Sequence, residues 1–167
     1  TLHRIPPRKC HQPCSSKRRQ VRKSLKNGAE IKQPEGIDEV KQFYNILKKL
    51  YREKVKKPLP DWQFFKKFYE NKDLGVYLLI RYSREIIGGI MCPVFQNTLY
   101  EWYICGEDGQ YKNVYPSVLA TYAPLQYGTQ NGYKYFDFLG AGKPGQDYGV
   151  REFKSKFGGK EVEYGRF

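Results

Sequence analysis

Apolar residues recur at helical spacing in the part of the chain that follows Gly36. Ile37, Val40, Tyr44 and Leu47 are separated by alternating steps of three and four, which predicts an amphipathic helix. The proline-rich stretch 58–60 ends this pattern. Residue 61 is an aspartate that can cap a second helix, and aromatic side chains recur on one side of that helix. These aromatic residues are interpreted as core.

Runs rich in β-forming residues follow at 75–82, 85–95 and 98–105, and they are separated by connections of two residues. This arrangement predicts an antiparallel meander. Residues 115–131 are interpreted as a helix disturbed by Pro124, 133–139 as a strand, 148–157 as a helix and 160–164 as a last strand. Upstream, residues 17–26 predict a short basic helix and 29–33 a brief strand. The main order, α-α-β-β-β-α-β-α-β, favours an α/β (α+β) fold with a mixed, largely antiparallel sheet and helices on its faces.

Charge divides the chain unevenly. Nearly all of the net charge of +13 lies in the first 60 residues. Such a basic segment attracts phosphate-rich partners, and the helix carrying Arg18, Arg19 and Arg22 is the candidate surface for RNA, although a solvated helix face is the alternative. We predict a basic lead-in at 1–35 and one globular domain at 36–167. Because no apolar run approaches the roughly 20 residues that cross a bilayer and no secretory signal is recognisable, a cytoplasmic location is expected.

The four cysteines do not predict a disulfide framework. Cys92 and Cys105 are interpreted as small buried strand residues. Cys10 and Cys14 lie near His3 and His11, but their C-x3-C spacing has no matching second pair, so no metal site is predicted.

The loop at residues 140–145 matches G-x-G-x-x-G. Its third glycine stands before the helix rather than in its first turn, and Pro144 stiffens the loop, so a dinucleotide site is not predicted. Backbone N–H groups of this loop, including those of Gly140 and Gly142, could still receive a phosphate or carboxylate.

Candidate chemistry is concentrated near the end of the chain. Arg151 and Lys154 are three apart, so we expect them to share one helix face while Val150, Phe153 and Phe157 pack. Asp137 closes a strand before a glycine-rich turn, where it could bind a ligand or cap the turn through its own backbone. Glu101, within a predicted strand, is a weaker candidate for a general base.

Two segments near this end carry a family resemblance: YFDFLG at 135–140 and GVREFKSKFGG at 149–159. Their order and composition resemble the closing motif of FemAB-type peptidyltransferases, whose last helix reads Phe-Lys-x-x-Phe-Gly-Gly. The earlier elements resemble the second GNAT-like subdomain of that family, and the basic helix resembles the one leading into it.

This resemblance implies transfer of an amino acid from aminoacyl-tRNA to an amine of a peptidoglycan precursor peptide, without a cofactor. It assigns Lys154 to the developing oxyanion. It also implies an N-terminal GNAT-like partner subdomain that this chain lacks. The complete set of candidates is Lys154, Asp137 and Glu101 for catalysis; Arg151, Gly140, Gly142 and Phe153 for substrate binding; and Arg18, Arg19 and Arg22 for tRNA.

Two other functions compete with this one. The resemblance extends to GNAT acetyltransferases that use acyl-CoA, but the junction 105–114 lacks their Gln/Arg-x-x-Gly-x-Gly/Ala pattern, and Glu107 and Asp108 would repel a pyrophosphate. The last alternative is a non-catalytic RNA-binding module that uses only the basic segment. No Ser-His-Asp or Cys-His arrangement is apparent.

Overall fold

The computed structural model describes residues 13–140, 142 and 148–161. In chain order the elements are α1 (Ser15–Lys26), β1 (Glu30–Lys32), α2 (Ile37–Leu50) with a π-helical turn (Tyr51–Val55), α3 (Trp62–Glu70), a 3-10 turn (Lys72–Leu74), β2 (Gly75–Tyr82), β3 (Glu85–Phe95), β4 (Thr98–Tyr100), β5 (Tyr103–Gly106), α4 (Pro116–Gln130), β6 (Tyr135–Asp137) and α5 (Gly149–Ser155). No described helix combines the length and apolar character needed to cross a membrane.

The sheet has six strands in the order β1-β2-β3-β4-β6, and β5 also pairs with β3. Pairing is antiparallel from β1 to β4 and at β5, whereas β4 and β6 run parallel. The predicted mixed, largely antiparallel sheet is therefore confirmed. The β2–β3 turn uses Ser83 and Arg84 at φ of 49° and 70°, the left-handed conformations whose twist suits a two-residue hairpin.

Helices cover both faces of this sheet because β2 is apolar on both sides. Leu78 and Ile80 belong to one core cluster, whereas Tyr77 and Leu79 belong to the other. This division follows from the alternation of side chains along a strand. The first cluster lies under α1, α4 and α5, and the second lies under α2 and α3. Val21 of α1 is buried in the first cluster, so the lead-in helix packs with the domain; the division after residue 35 stays a prediction.

Two differences from the expected elements bear on the site. The strand expected at 98–105 is divided, because Glu101 donates its N–H to Asp137 O at 2.9 Å whereas Trp102 donates to Met91 O at 3.2 Å. Strand β6 is shorter than the predicted 133–139 and is followed by Leu139 at φ 53°. The helix predicted at 115–131 is present as α4 and contains Pro124. Most of the predicted last strand, 160–164, lies outside the described residues.

Candidate active site

The parallel seam between β4 and β6 places two candidate residues, Glu101 and Asp137, at neighbouring strand ends. Leu99 pairs with Phe136 and Tyr100 with Asp137. Glu101 follows directly on one strand and Phe138 on the other. The carboxyl ends of two parallel strands therefore meet here, which is where α/β sheets commonly bind ligands.

Helix α5 contributes Lys154 to this seam. Its Nζ lies 2.9 Å from Glu101 Oε1, and the two side chains are only 9% and 5% exposed. The same ammonium donates to the backbone carbonyl oxygens of Phe138 and, at 3.1 Å, Gly140. A lysine has three N–H donors, so one carboxylate and two carbonyls match its full capacity. Lys154 thus anchors α5 to the ends of both seam strands.

The carboxyl group of Glu101 is less completely satisfied. Its Oε2 is buried and has no hydrogen-bond partner among the described residues. Burial raises the pKa of Glu101, Lys154 opposes this effect, and the nearby Asp137 adds to it. A buried carboxyl with a raised pKa and one oxygen without a partner among the described residues is suited to accept a proton.

Asp137 has a defined local contact at the end of β6. Its Oδ1 accepts a hydrogen bond from Leu139 N at 2.8 Å. This contact holds the left-handed turn at Leu139, a conformation that residues with a Cβ seldom adopt. The turn directs the carbonyls of Phe138 and Gly140 toward Lys154. Asp137 therefore shapes the seam from its own strand.

The other candidates of this region lie around α5. Arg151 does not form a shared exposed cationic face with Lys154, because Lys154 is buried and Arg151 Nε lies 3.3 Å from Glu161 Oε1. Phe153 is half-buried against the first core cluster, but Val150, which was expected to pack, is 41% exposed. Gly142 has φ 81°, and a Cβ there would lie 2.7 Å from the Tyr148 ring.

Helix α1 brings the basic candidates close to α5. The N–H of Cys14 donates to Lys156 O at 2.8 Å, and Lys17 Nζ lies 4.5 Å from the centre of the Phe153 ring. The outer side of α1 carries an open groove lined by Ser15, Arg18, Arg19, Arg22, Lys23 and Lys26.

Within the described ranges no group of three or more potential metal ligands exists, and His3, Cys10 and His11 fall outside those ranges.

The N-terminus of α4 is occupied by a side chain of the chain itself. Asp108 Oδ1 accepts a hydrogen bond from Ser117 N at 3.0 Å. Gly106 approaches the same turn so closely that a Cβ would lie 2.4 Å from Ser117 N. A helix N-terminus attracts anions, and here a carboxylate takes that place.

Sequence reasoning singled out Glu101, Asp137 and Lys154, and the structure brings them together. It missed the neighbouring Trp102, which is 45% exposed. A tryptophan directly after a candidate base, on a strand whose next residues are apolar, was the available signal. The carbonyl contacts of Lys154 had no such signal, because they depend on the path of the backbone.

A comparison with protein-family models identifies the family of this domain. Residues 15–155 match the family model described as Acetyltransferase (GNAT) domain. The chain belongs to this GNAT family. No match to this GNAT chain is found among curated proteins.

Solved structures show the same GNAT fold. FemX superimposes with a TM-score of 0.76 at 14% identity, covering 94% of this chain and 58% of the FemX chain. L-PGS from Bacillus licheniformis gives 0.65 at 13% identity, covering 95% and 56%. An aminoglycoside acetyltransferase from an uncultured soil metagenomic sample, in complex with trehalose, gives 0.60 at 18% identity, covering 86% and 97%. The predicted resemblance to the GNAT-like subdomain of the FemAB type is thereby confirmed for the fold.

Proposed function

We propose that this GNAT domain is an aminoacyl transferase of the FemAB type, which moves an amino acid from aminoacyl-tRNA to an amine of a peptidoglycan precursor peptide. The observation that carries this proposal is the buried Glu101–Lys154 pair at the end of the parallel seam. The similarity of the fold to FemX supports it. The pair offers a base and a cation side by side, and aminoacyl transfer requires both.

In the proposed reaction the acceptor nitrogen attacks the ester carbonyl carbon of the donor. Glu101 Oε2, the carboxyl oxygen without a hydrogen-bond partner among the described residues, takes the proton that the amine must lose. The new C–N bond forms, the C–O ester bond breaks, and the proton passes to the departing ribose oxygen. The positive charge of Lys154 stabilises the carbonyl oxygen while it is anionic, in exchange for its contact with Gly140 O.

Asp137 is proposed to act through the turn that it holds. Its contact with Leu139 N fixes the carbonyls that surround Lys154. Arg151, Phe153, Gly140 and Gly142 are proposed to line the substrate side of this turn, because they lie on α5 or in the loop before it. The ester donor is already activated, so the proposed reaction needs no cofactor.

The donor is proposed to be tRNA because the groove on α1 is open to an anion, whereas the N-terminus of α4 is already occupied. The N-terminus of α4 already holds the Asp108 carboxylate, which would repel a pyrophosphate. The groove on α1 presents Arg19 and Arg22 on an exposed, basic helix that has no acid in its first turn. Exposed cations on one helix side are suited to a phosphate backbone.

The proposal includes a second subdomain and a cytoplasmic location. This chain covers 58% of the length of FemX. An N-terminal GNAT-like subdomain would complete the acceptor cleft. Charged tRNA is a cytoplasmic substrate, which is why we place the proposed reaction there.

A second candidate function is acyl transfer from acyl-CoA to a small amine. One observation favours it: the chain covers 97% of the aminoglycoside acetyltransferase, so the fold is matched by an acetyltransferase of about one domain. The same Glu101 could deprotonate that acceptor. The two functions differ in donor.

A donor assay tests the proposal. The chain, alone and with a FemX-type N-terminal subdomain supplied, is incubated with precursor peptide and either charged tRNA or acetyl-CoA. We expect product from charged tRNA, with loss of product in Glu101→Gln. Product from acetyl-CoA alone would replace the proposal by its alternative. RNA binding without any product would reduce the chain to a binding module.

A further inference from the structure

An exposed aromatic stack begins one residue after the candidate base. The Trp102 ring lies 5.7 Å from that of Tyr103 at 24°, and Phe64 meets it edge-on at 5.4 Å and 88°. The backbone N–H of Trp102 donates a hydrogen bond to Met91 O. Because rings on two sides hold Trp102 while it remains 45% exposed, it offers a rigid flat surface. We name Phe64, Trp102 and Tyr103 the aromatic platform.

A strongly basic segment lies alongside this platform. The Tyr51 ring is 6.2 Å from that of Tyr103, and Tyr51 opens the π-helical turn at the end of α2. Such turns occur often at functional sites. We name residues 48–57 the basic turn; its only acid is Glu53, and its cations are Lys48, Lys49, Arg52, Lys54, Lys56 and Lys57.

Most of these cations face solvent. Among the described residues, ion pairs of the basic turn involve only Lys49, 3.9 Å from Glu107, and Arg52, 3.3 Å from Glu53. Lys54, Lys56 and Lys57 are exposed. An excess of unpaired positive charge beside a flat aromatic surface complements a ligand that is both planar and anionic.

We propose that the aromatic platform and the basic turn bind the unpaired end of an RNA strand, with a base stacked on Trp102 and the backbone phosphates along the basic turn. This inference rests on the proposed function, in which RNA carries the donor. Proteins bind single-stranded nucleic acid by this combination of ring stacking and positive charge. Several cations along ten residues suit successive phosphates of a strand better than the single diphosphate of a free nucleotide.

The platform is next to the seam along the chain but lies on the other side of the sheet. Phe64 and Tyr103 pack against the second core cluster, under α2 and α3, whereas the Glu101 carboxylate contacts Lys154 of α5. Glu101 and Trp102 are consecutive, and their N–H groups bond to opposite neighbours, Asp137 and Met91. The strand break between β4 and β5 therefore carries the carboxyl group and the indole on adjacent residues. An RNA end held on Trp102 would lie at this break, on the side of the sheet opposite the groove on α1, so the platform would be a second RNA contact separate from that groove.

Binding of fluorescent single-stranded RNA oligonucleotides, measured by anisotropy with the full chain, tests this inference. Trp102→Ala should weaken binding roughly 5- to 100-fold, the usual effect of losing one stacked base. Trp102→Phe should retain most of the affinity. Phe95→Ala is the matched control, because Phe95 is an exposed aromatic residue, 66% accessible, outside the platform. Melting curves establish that each variant is folded.

A paired duplex of the same sequence should bind without dependence on Trp102. Equal affinity of Trp102→Ala and the parent for the single strand would overturn the inference, as would a Trp102-dependent site that takes uridine diphosphate and excludes the RNA strand. If reversal of Arg19 and Arg22 weakens tRNA binding while Trp102→Ala does not, the platform fails and the proposed function stands. A Trp102-dependent strand site without transfer from charged tRNA would reject the proposed function alone.

Discussion

Lys154 Nζ, on the last described helix, lies 2.9 Å from Glu101 Oε1, and both side chains are almost completely buried. Removing one partner of such a pair leaves an uncompensated buried charge, whereas replacing both with neutral groups can be nearly neutral for stability. Stability and catalysis can therefore be separated at this pair by comparing single and double variants.

Lys154→Met should destabilise the fold by about 3–5 kcal/mol and slow the chemical step on the order of 10²–10³-fold. Lys154→Met/Glu101→Gln should recover stability but not rate. Denaturant unfolding and single-turnover rates with pre-bound donor measure the two effects. Lys156→Met, which removes an exposed cation at the end of the same helix, serves as the control and should keep the parent rate at saturating donor. A Lys154→Met variant as fast as the parent would end its catalytic assignment.

Glu101→Gln should lower the rate roughly 10²–10⁴-fold, because a general base is lost. Burial raises the pKa of Glu101 above its ordinary value of 4.5, so the acid limb of kcat/KM should lie above that pH and be absent from the variant's residual activity. The folded state holds this proton more tightly than the unfolded state. The contribution of Glu101 to stability is therefore full below 4.5 and lost as pH rises through the raised pKa. An acid limb at the same pH in both proteins would exclude Glu101 as its source.

Phe157→Ala should cost about 3–5 kcal/mol, because Phe157 is fully buried in the first core cluster. Val150→Ala, in the helix that Phe157 follows, should change stability by less than about 0.5 kcal/mol, because Val150 is exposed. Thermal or denaturant unfolding compares the two. Similar unfolding midpoints for both variants would show that Phe157 does not hold α5 against the core.

Arg19→Glu/Arg22→Glu should weaken tRNA binding and reduce its dependence on salt, because fewer counterions are released. Filter binding over a salt series measures both. Lys66→Glu/Lys67→Glu on α3 makes the same charge change outside the groove and should leave the salt slope closer to that of the parent. An unchanged slope after reversal on α1 would make that helix a solvated surface.

Asp108→Ala should cost about 0.5–2 kcal/mol, the usual effect of losing an N-terminal cap. It also frees the N-terminus of α4 for an external anion. Coenzyme A should therefore bind more tightly to the variant than to the parent in calorimetric titration. Tight binding to the parent, reduced in the variant, would show that Asp108 contributes to an acyl-CoA site.

The sequence predicted the elements whose patterns are local. Strands β2 and β3 have the predicted bounds, since alternating apolar residues and two-residue turns define them within a few positions. The division between β4 and β5 could not be predicted, because the N–H of Glu101 finds its partner on β6, far along the chain.

The same reasoning applies to the site. Lys154 was predicted from a motif and Glu101 from its place in a strand. Their contact requires the parallel pairing of β4 with β6 and an orientation of α5 in which Lys154 is buried. Helical spacing alone placed Lys154 beside Arg151 and could not show which of the two is buried. Asp108 was recognised as an unfavourable charge for pyrophosphate; its partner, Ser117, is nine residues away, outside any local capping pattern.

The hydrogen bond from Cys14 N to Lys156 O joins the residue before α1 to the residue after α5. During synthesis on the ribosome, α1 emerges long before its neighbour on α5 exists, and it can complete its packing only when nearly all of the described chain is out. Contacts of such high sequence separation slow folding. The apolar side of α1, including Val21, is covered mainly by α4, so a growing chain arrested before α4 should be recognised by chaperones that a finished chain escapes.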